Sequence, residues 1–93
     1  MESSPGMWHL YLIRTRRGEL YTGVTQDVER RFREHQEGGT KAAKYLRGKN
    51  PLELVFQKEI GSRSNALKAE AEIKKWSKDK KESLVKNEIQ LTF

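Results

Sequence analysis

The sequence predicts an α/β fold in which helices flank a small, largely antiparallel sheet of three strands. Three observations support this prediction. Two strand-like runs surround a tight turn between Trp8 and Gly23, a helical pattern follows at once, and a third strand-like run after Pro51 precedes another helix. Hydrophobic residues recur with a period near 2 in the strands and near 3.6 in the helices. In chain order, the predicted elements are β-β-α-(α)-β-α-α.

Length and charge are those of a small basic domain. Ninety-three residues suit one domain, and we expect it to span residues 8–93 after a flexible leader at residues 1–7, where Ser, Pro and Gly discourage regular structure. Nineteen Lys and Arg against 13 Asp and Glu give a net charge of +6. This excess suits either a basic soluble surface or a polyanionic partner such as nucleic acid, and composition alone favours neither.

The chain contains no cysteine. This excludes disulfides and thiolate metal sites and suits a reducing compartment. No apolar run approaches the roughly 20 residues that span a bilayer, and the polar start carries no signal segment. We therefore expect a cytoplasmic protein that does not contact membranes. We also expect it to be a monomer.

The first two strands form a hairpin whose register follows from its turn. A three-residue loop at 16–18 places Gly18 in the left-handed conformation, which glycine adopts without steric cost. In the resulting register Tyr11 lies opposite Gly23, and Tyr21 is a diagonal neighbour of Tyr11 on the same face of the sheet. Because Gly23 has no side chain, we expect open space beside Tyr11.

A helix from about residue 26 to 37 follows the hairpin. Thr25 or Asp27 can cap its start, and the Gly-Gly pair after it ends it. Arg31 and His35 are four residues apart and therefore share one face, next to the apolar stripe that docks on the sheet. We expect this face to meet the two tyrosines.

The stretch after this helix is basic and carries one aromatic residue. The pattern predicts a short helix from about 41 to 47 with its cations along one side. Such a stripe suits phosphate contact and base stacking, whereas the alternative is a solvated helix face anchored by Leu46. The predicted nucleic-acid contacts are Lys41, Lys44, Tyr45, Arg47 and Lys49.

The second half of the chain predicts a strand and two helices. The strand spans about 52–60, a helix follows from 62 to about 77 with a serine cap, and a last helix covers about 79–87. The apolar residues at 89, 91 and 93 either cover the edge of the core or form a short strand.

Two glutamates in the 62–77 helix have different surroundings. Glu70 falls on the side that carries the apolar residues, where a carboxylate is costly to bury unless it is paired or metal-bound. From the residues alone, Glu70 could also lie at the margin of the stripe and reach solvent or an arginine. Glu72 faces Lys68 and Lys75, a surface arrangement of small energetic value.

The stretch from residue 9 to 35 resembles the GIY-YIG nuclease superfamily. Its first tripeptide corresponds to His9-Leu10-Tyr11 and its second to Tyr21-Thr22-Gly23, and RRFREH and ALKAE resemble later segments. His9 stands where glycine is usual, and Thr22 stands where isoleucine or valine is usual. The length and ending are similar to the small single-domain, YhbQ-like branch.

The resemblance implies a metal-dependent endonuclease that hydrolyses phosphodiester bonds in nucleic acid, with DNA favoured over RNA. Glu70 would hold Mg²⁺ or Mn²⁺, and Arg31 would bind the scissile phosphate. The tyrosines would orient or deprotonate the attacking water, and His35 would assist proton transfer or orient a neighbour. The implied catalytic residues are Tyr11, Tyr21, Arg31, His35 and Glu70.

Two other functions remain open. The chain could be a nucleic-acid-binding module that has the fold but little catalysis. It could also be an accessory subunit that lends a nuclease to a larger complex, in which a partner protein supplies substrate recognition. Cleavage assays with Mg²⁺ or Mn²⁺ discriminate the first function from these two.

Overall fold

The computed structural model describes residues 6–91, so most of the predicted leader and Phe93 lie outside the described residues. The described chain has three strands and three α-helices in the predicted order. They are β1 (Trp8–Arg14), β2 (Leu20–Thr25), α1 (Val28–Glu37), β3 (Glu53–Gly61), α2 (Arg63–Lys74) and α3 (Lys78–Val85), with a single 3-10 turn at Lys44–Leu46. The predicted α/β class is therefore confirmed.

The sheet has the order β2-β1-β3, and both pairings are antiparallel. Gly18 takes a left-handed φ of 89° in the hairpin turn, which sets the register predicted from the sequence. Tyr11 pairs with Gly23 and Ile13 pairs with Tyr21. As a result, Tyr11 and Tyr21 share one face of the sheet.

Alternation along β1 places a separate core on each face of the sheet. On one face, Leu10 and Leu12 pack with buried residues of α2 and α3. On the other face, Tyr11 and Ile13 pack with α1 and the 3-10 turn, including the fully buried Leu46. The predicted catalytic tyrosines therefore lie on the α1 side of the sheet.

Local capping explains where the helices begin and end. The Asp27 carboxylate accepts the Arg30 N–H at the start of α1, and Gly38 ends the helix with a left-handed φ of 72°. Ser62 caps α2 as predicted. The helix stops at Lys74 rather than near 77, because Ser77 adopts an extended conformation and caps α3 instead.

The short helix predicted from about 41 to 47 is wrong. Only residues 44–46 form a 3-10 turn, and both Ala43 and Arg47 are extended, with ψ of 137° and 132°. Side chains of α1 form hydrogen bonds with backbone groups that a helix at 41–47 would use for its own hydrogen bonds. The Arg31 guanidinium donates to the Lys41 carbonyl, and the His35 ring accepts the Ala43 N–H.

The residues after α3 cover the edge of a core. Ile89 and Leu91 pack against the cluster that contains Leu84. Up to residue 91 they form no strand, so the first of the two alternatives predicted for this segment is correct. No helix within residues 6–91 has the length and apolar character that crossing a bilayer requires.

Candidate active site

The centre of the candidate site is a hydrogen bond between Tyr11 Oη and His35 Nε2, 2.9 Å long. Tyr11 is 2% exposed and His35 is 0% exposed. The strand β1 positions the phenol and α1 positions the imidazole, 24 residues further along the chain. The two polar groups therefore satisfy each other in a place with little access to bulk solvent.

The second ring nitrogen of His35 fixes its tautomer. Nδ1 accepts the Ala43 backbone N–H over 3.2 Å, so the neutral ring carries its proton on Nε2. Burial, reinforced by the charge of Arg31, lowers the pKa of His35 to about 4. At neutral pH the imidazole is therefore uncharged and donates its Nε2 proton to the Tyr11 oxygen.

The surroundings of Tyr11 determine which form of its phenol is favoured. Burial raises the pKa of Tyr11, and the neighbouring Tyr21 raises it further, whereas Arg31 lowers it. The Tyr11 phenol is therefore neutral in the protein alone. The Nε2 proton of His35 and the charge of Arg31 are the two groups that favour its phenolate.

Gly23 provides the space that Tyr11 occupies. A Cβ atom built on Gly23 would lie 2.5 Å from Cζ of Tyr11, closer than real Cβ contacts occur. Any side chain at this position would displace the Tyr11 ring. The open space expected beside Tyr11 is thus filled by the phenol itself.

A series of neighbouring aromatic rings extends from the buried Tyr11 phenol towards solvent. The Tyr21 ring lies 6.4 Å from the Tyr11 ring between centroids and 5.7 Å from the His35 ring. Tyr45 stacks on Tyr21 at 5.9 Å with 20° between their planes, and Tyr45 is 44% exposed. Lys49 Nζ lies 3.4 Å from the centre of the Tyr45 ring.

Arg31 is held in place by two contacts on Nη1. One is a 3.0 Å bond to the Glu34 carboxylate, and the other is a 2.5 Å bond to the Lys41 carbonyl. The first contact lowers the pKa of the Glu34 carboxyl. The Arg31 side chain remains 31% exposed, so its guanidinium borders both the tyrosine cluster and solvent.

Glu70 lies on the buried side of α2, as its helical phase predicts. Ala66, Ala69 and Ile73 on this side are fully buried. The Glu70 side chain is 19% exposed and pairs with Lys74 at 3.3 Å, so its partner is a lysine and not an arginine. Its charge makes a small contribution to the raised pKa of Tyr11.

The donor set at Glu70 is compatible with Mg²⁺ or Mn²⁺. Within residues 6–91, no three His, Asp or Glu side chains form a metal cluster, so a cation at Glu70 would have at most one further ligand of these types. Mg²⁺ keeps several waters and is bound by one or two carboxylates plus substrate phosphates. Lys74, which is 53% exposed, can leave Glu70 without being buried elsewhere.

Glu72 points away from this site and is exposed. The predicted pairs with Lys68 and Lys75 are absent among the described ion pairs, since neither ammonium lies within 4 Å of the Glu72 carboxylate. Both lysines are solvated. Glu72 therefore provides a control residue for Glu70 on the same helix.

The predicted nucleic-acid contacts do not form one helical stripe. Lys41 and Lys44 are exposed, Arg47 donates to the Thr40 carbonyl over 3.2 Å, and Lys49 pairs with Glu19 at 3.5 Å. Tyr45 stacks on Tyr21 instead of standing alone. The cations nevertheless lie in the segment that borders the tyrosine cluster.

Sequence reasoning missed two parts of this site. One is the Ala43 N–H that orients His35, because a backbone donor leaves no mark in the residue pattern. The other is the contact between the Tyr45 ring and Tyr21, which joins positions 24 residues apart. The signal that could have found it is the occurrence of a third tyrosine in a chain with few aromatic residues.

Comparison with known proteins identifies the family. Residues 7–83 match the family described as the GIY-YIG catalytic domain. The UPF0213 protein YE0453 of Yersinia enterocolitica is 56% identical over 85 residues, which cover 91% of this chain and 86% of the relative. A UPF0213 protein of Yersinia pestis is 57% identical over 82 residues, covering 88% and 84% of the two chains.

Two solution structures have the same fold. The UPF0213 protein BH0048 from Bacillus halodurans is 40% identical with a TM-score of 0.55, and the match covers 86% of this chain and 83% of that one. The protein EF2693 from E. faecalis is 31% identical with a TM-score of 0.62, covering 100% and 97%. The chain therefore belongs to the GIY-YIG catalytic-domain family, and within it to the UPF0213 proteins.

Proposed function

We propose that the protein is a metal-dependent endonuclease that hydrolyses phosphodiester bonds in nucleic acid, with DNA as the preferred substrate. The observation that carries the proposal is the hydrogen-bonded pair of Tyr11 and His35, with Tyr21 and Arg31 beside it. Membership of the GIY-YIG family supports a nuclease as the class of activity. A chain without cysteine fits the cytoplasm as its compartment.

Phosphodiester hydrolysis needs an oriented water, stabilisation of charge on phosphate and help for the leaving oxygen. In this proposal the Tyr11 phenol first releases its proton to solvent, and the resulting phenolate orients the attacking water. The phenolate takes the proton of this water as the water oxygen bonds to phosphorus and the bond to the leaving oxygen breaks, and the leaving oxygen takes a proton from solvent. The Nε2–H of His35 stabilises the negative charge that the Tyr11 phenolate carries until it accepts the proton of the water. His35 is thus a positioning residue and hydrogen-bond donor, since its Nε2 already carries a proton.

Arg31 is proposed to bind the scissile phosphate. Its Nη1 contacts fix the plane of the guanidinium, and Nη2 and Nε can meet two phosphate oxygens. A divalent cation held by Glu70 would supply Lewis-acid stabilisation of the phosphate charge. Tyr21 packs beside Tyr11 and limits where a water can sit.

A comparison of Glu70→Gln with Glu72→Gln tests the proposal. We expect Glu70→Gln to abolish Mg²⁺-dependent cleavage and to leave stability equal or slightly higher, because it removes a poorly solvated charge. Glu72→Gln should leave cleavage unchanged. The measurements are turnover on DNA and RNA of varied structure with Mg²⁺ or Mn²⁺, and backbone amide shifts during an Mg²⁺ titration.

Two outcomes would contradict the assignment in different ways. Loss of the metal response in Glu72→Gln but not in Glu70→Gln would move the metal site to the other side of α2. If the unmodified protein binds DNA but cuts no substrate with either metal, the chain is a binding module or an accessory subunit. The second outcome is the alternative function that the exposed cations near Tyr45 favour.

A further inference from the structure

A basic surface pocket lies at the tip of the β1–β2 hairpin, outside the tyrosine cluster. Its volume is about 270 Å³. Four cationic side chains and one carboxylate line it together with a glycine. The lining residues are Arg16, Arg17, Glu19, Arg47, Gly48 and Lys49. We refer to this site as the hairpin-turn pocket.

Hydrogen bonds between the two walls of the hairpin-turn pocket define its shape. The Arg16 N–H donates to the Lys49 carbonyl over 3.0 Å, and its guanidinium donates to the Asn50 carbonyl over 3.2 Å. Asn50 in turn donates to the Gln36 carbonyl at the end of α1. The cations are therefore held on a framework that exists without a ligand.

The charges in the pocket favour an anion. Glu19 is the one acidic group, and its carboxylate accepts a hydrogen bond from Thr15 and pairs with Lys49. Arg17 is exposed and forms no hydrogen bond or ion pair with any described residue. Its guanidinium is free to bind phosphate oxygens in a bidentate manner.

The pocket is continuous with the candidate active site. Lys49 lines the pocket and also covers the Tyr45 ring, which stacks on Tyr21. Tyr21 follows Glu19, which lines the pocket, by two residues, at most about 7 Å of extended chain. A strand bound at the tyrosine cluster would therefore pass the pocket within a few linkages.

We propose that the hairpin-turn pocket binds a backbone phosphate of the substrate strand, a few linkages from the phosphate that is cleaved. This inference rests on the proposed function, because it assumes that nucleic acid occupies the tyrosine cluster. The pocket adds affinity and sets the direction in which the strand leaves the site. Arg17 and Arg16 come from the hairpin turn, which the sequence pattern did not connect with binding.

Binding without catalysis tests this proposal separately from the nuclease activity. In EDTA, a short DNA duplex is titrated into the unmodified protein, Arg17→Glu and the matched control Arg33→Glu. Arg33 is exposed on α1 and points away from the site. We expect Arg17→Glu to weaken binding roughly three- to fivefold and to lower the salt slope by about one unit, and Arg33→Glu to change affinity less than twofold.

Backbone amide spectra add two further controls. They verify that Arg17→Glu is folded, and Arg17→Gln replaces it if the charge reversal unfolds the turn. In the unmodified protein, DNA should shift the amides of residues 16–18 and 48–49. Inorganic phosphate should produce the same shifts only at much higher concentration, because it offers one phosphate and no continuing strand.

Three results would contradict the proposal that the hairpin-turn pocket binds a substrate phosphate. Equal weakening by Arg17→Glu and Arg33→Glu would mean that net charge alone determines affinity. Inorganic phosphate that binds as tightly as DNA would make the pocket a site for free anions. If the unmodified protein cuts DNA and Arg17→Glu binds DNA with normal affinity, the phosphate-binding role of the pocket is contradicted, whereas the nuclease proposal is not affected.

Discussion

At the scale of single residues, His35 is the most constrained side chain of the candidate site. One ring nitrogen accepts a backbone N–H and the other donates to a phenol that would carry negative charge during catalysis. Its full burial keeps it neutral. A histidine in this state positions Tyr11 but does not remove a proton from it.

This environment predicts a pH dependence of stability. The unfolded chain protonates His35 below about pH 6.5, whereas the folded chain protonates it only near pH 4. The unfolded state then binds more protons, so the free energy of unfolding falls as pH decreases from 6.5 towards 4, by up to about 1.4 kcal/mol per pH unit. Above pH 6.5 this contribution is constant. Urea denaturation between pH 5 and 7.5 measures it.

The matched control is His35→Gln, which cannot become charged. The slope between pH 5 and 6.5 should be smaller in this variant than in the unmodified protein. Glu34 and Glu82 also have lowered carboxyl pKa values, but their contribution is lost only at more acidic pH. Identical slopes in the two proteins would mean that His35 titrates normally in the folded state.

Residue patterns predicted the tyrosine pair because a turn determines a register. Once Gly18 takes the left-handed position, the partners of Tyr11 and Tyr21 follow from counting along the strands. The stack of Tyr45 on Tyr21 could not be predicted in this way, since the path of residues 38–50 depends on side-chain contacts with α1. Local rules determine the hairpin, but tertiary contacts determine that loop.

At the scale of elements, one ion pair fastens α3 to the central strand. Arg14 on β1 donates two hydrogen bonds to the Glu82 carboxylate, at 2.6 and 2.8 Å. The two side chains are 27% and 20% exposed. Because the geometry is bidentate and partly shielded, this pair contributes more than an ordinary surface ion pair.

Removing the charge of Glu82 should therefore destabilise the fold. We expect Glu82→Gln to lower the free energy of unfolding by about 1–2 kcal/mol, since charged hydrogen bonds are removed and the Arg14 charge stays partly buried. Glu72→Gln, an exposed glutamate on α2, should cost less than about 0.5 kcal/mol. Urea denaturation at neutral pH compares the two variants, and equal costs would make the Arg14–Glu82 pair energetically neutral.

The ends of helices were predicted well where capping residues mark them. They were predicted poorly where contacts between elements determine the backbone conformation. Asp27 and Ser62 each begin a helix because their side chains accept a backbone N–H. The 41–47 segment has helix-forming residues, yet its backbone groups bond to α1 side chains. Intrinsic propensity is a weak term when such contacts compete with it.

At the scale of the whole molecule, the net charge of +6 predicts salt-dependent binding to nucleic acid. We expect the double variant Lys44→Ala with Arg47→Ala to lower affinity and to flatten the salt slope by roughly 0.7–0.9 unit for each phosphate that is no longer neutralised. Both residues are exposed beside Tyr45. Fluorescence anisotropy with labelled DNA at several salt concentrations measures the slope.

The control double variant is Lys68→Ala with Lys75→Ala. Both lysines are exposed on α2 or directly after it, away from the tyrosine cluster, and their removal changes the net charge by the same amount. If this control flattens the salt slope equally, DNA affinity depends on the overall charge of the protein, and the segment around Tyr45 is not a specific binding surface. A smaller effect in the control assigns binding to that segment.

The bonds that tie residues 39–50 to α1 also limit how the domain can be altered. Arg31 and His35 each hold a backbone group of this segment, and Asn50 holds the end of α1. This segment therefore cannot be exchanged with that of a relative independently of α1. A chimera that takes it from a distant relative must also inherit matching residues at 31, 35 and 50, or the graft will lose its conformation together with the alignment of the Tyr11 phenol.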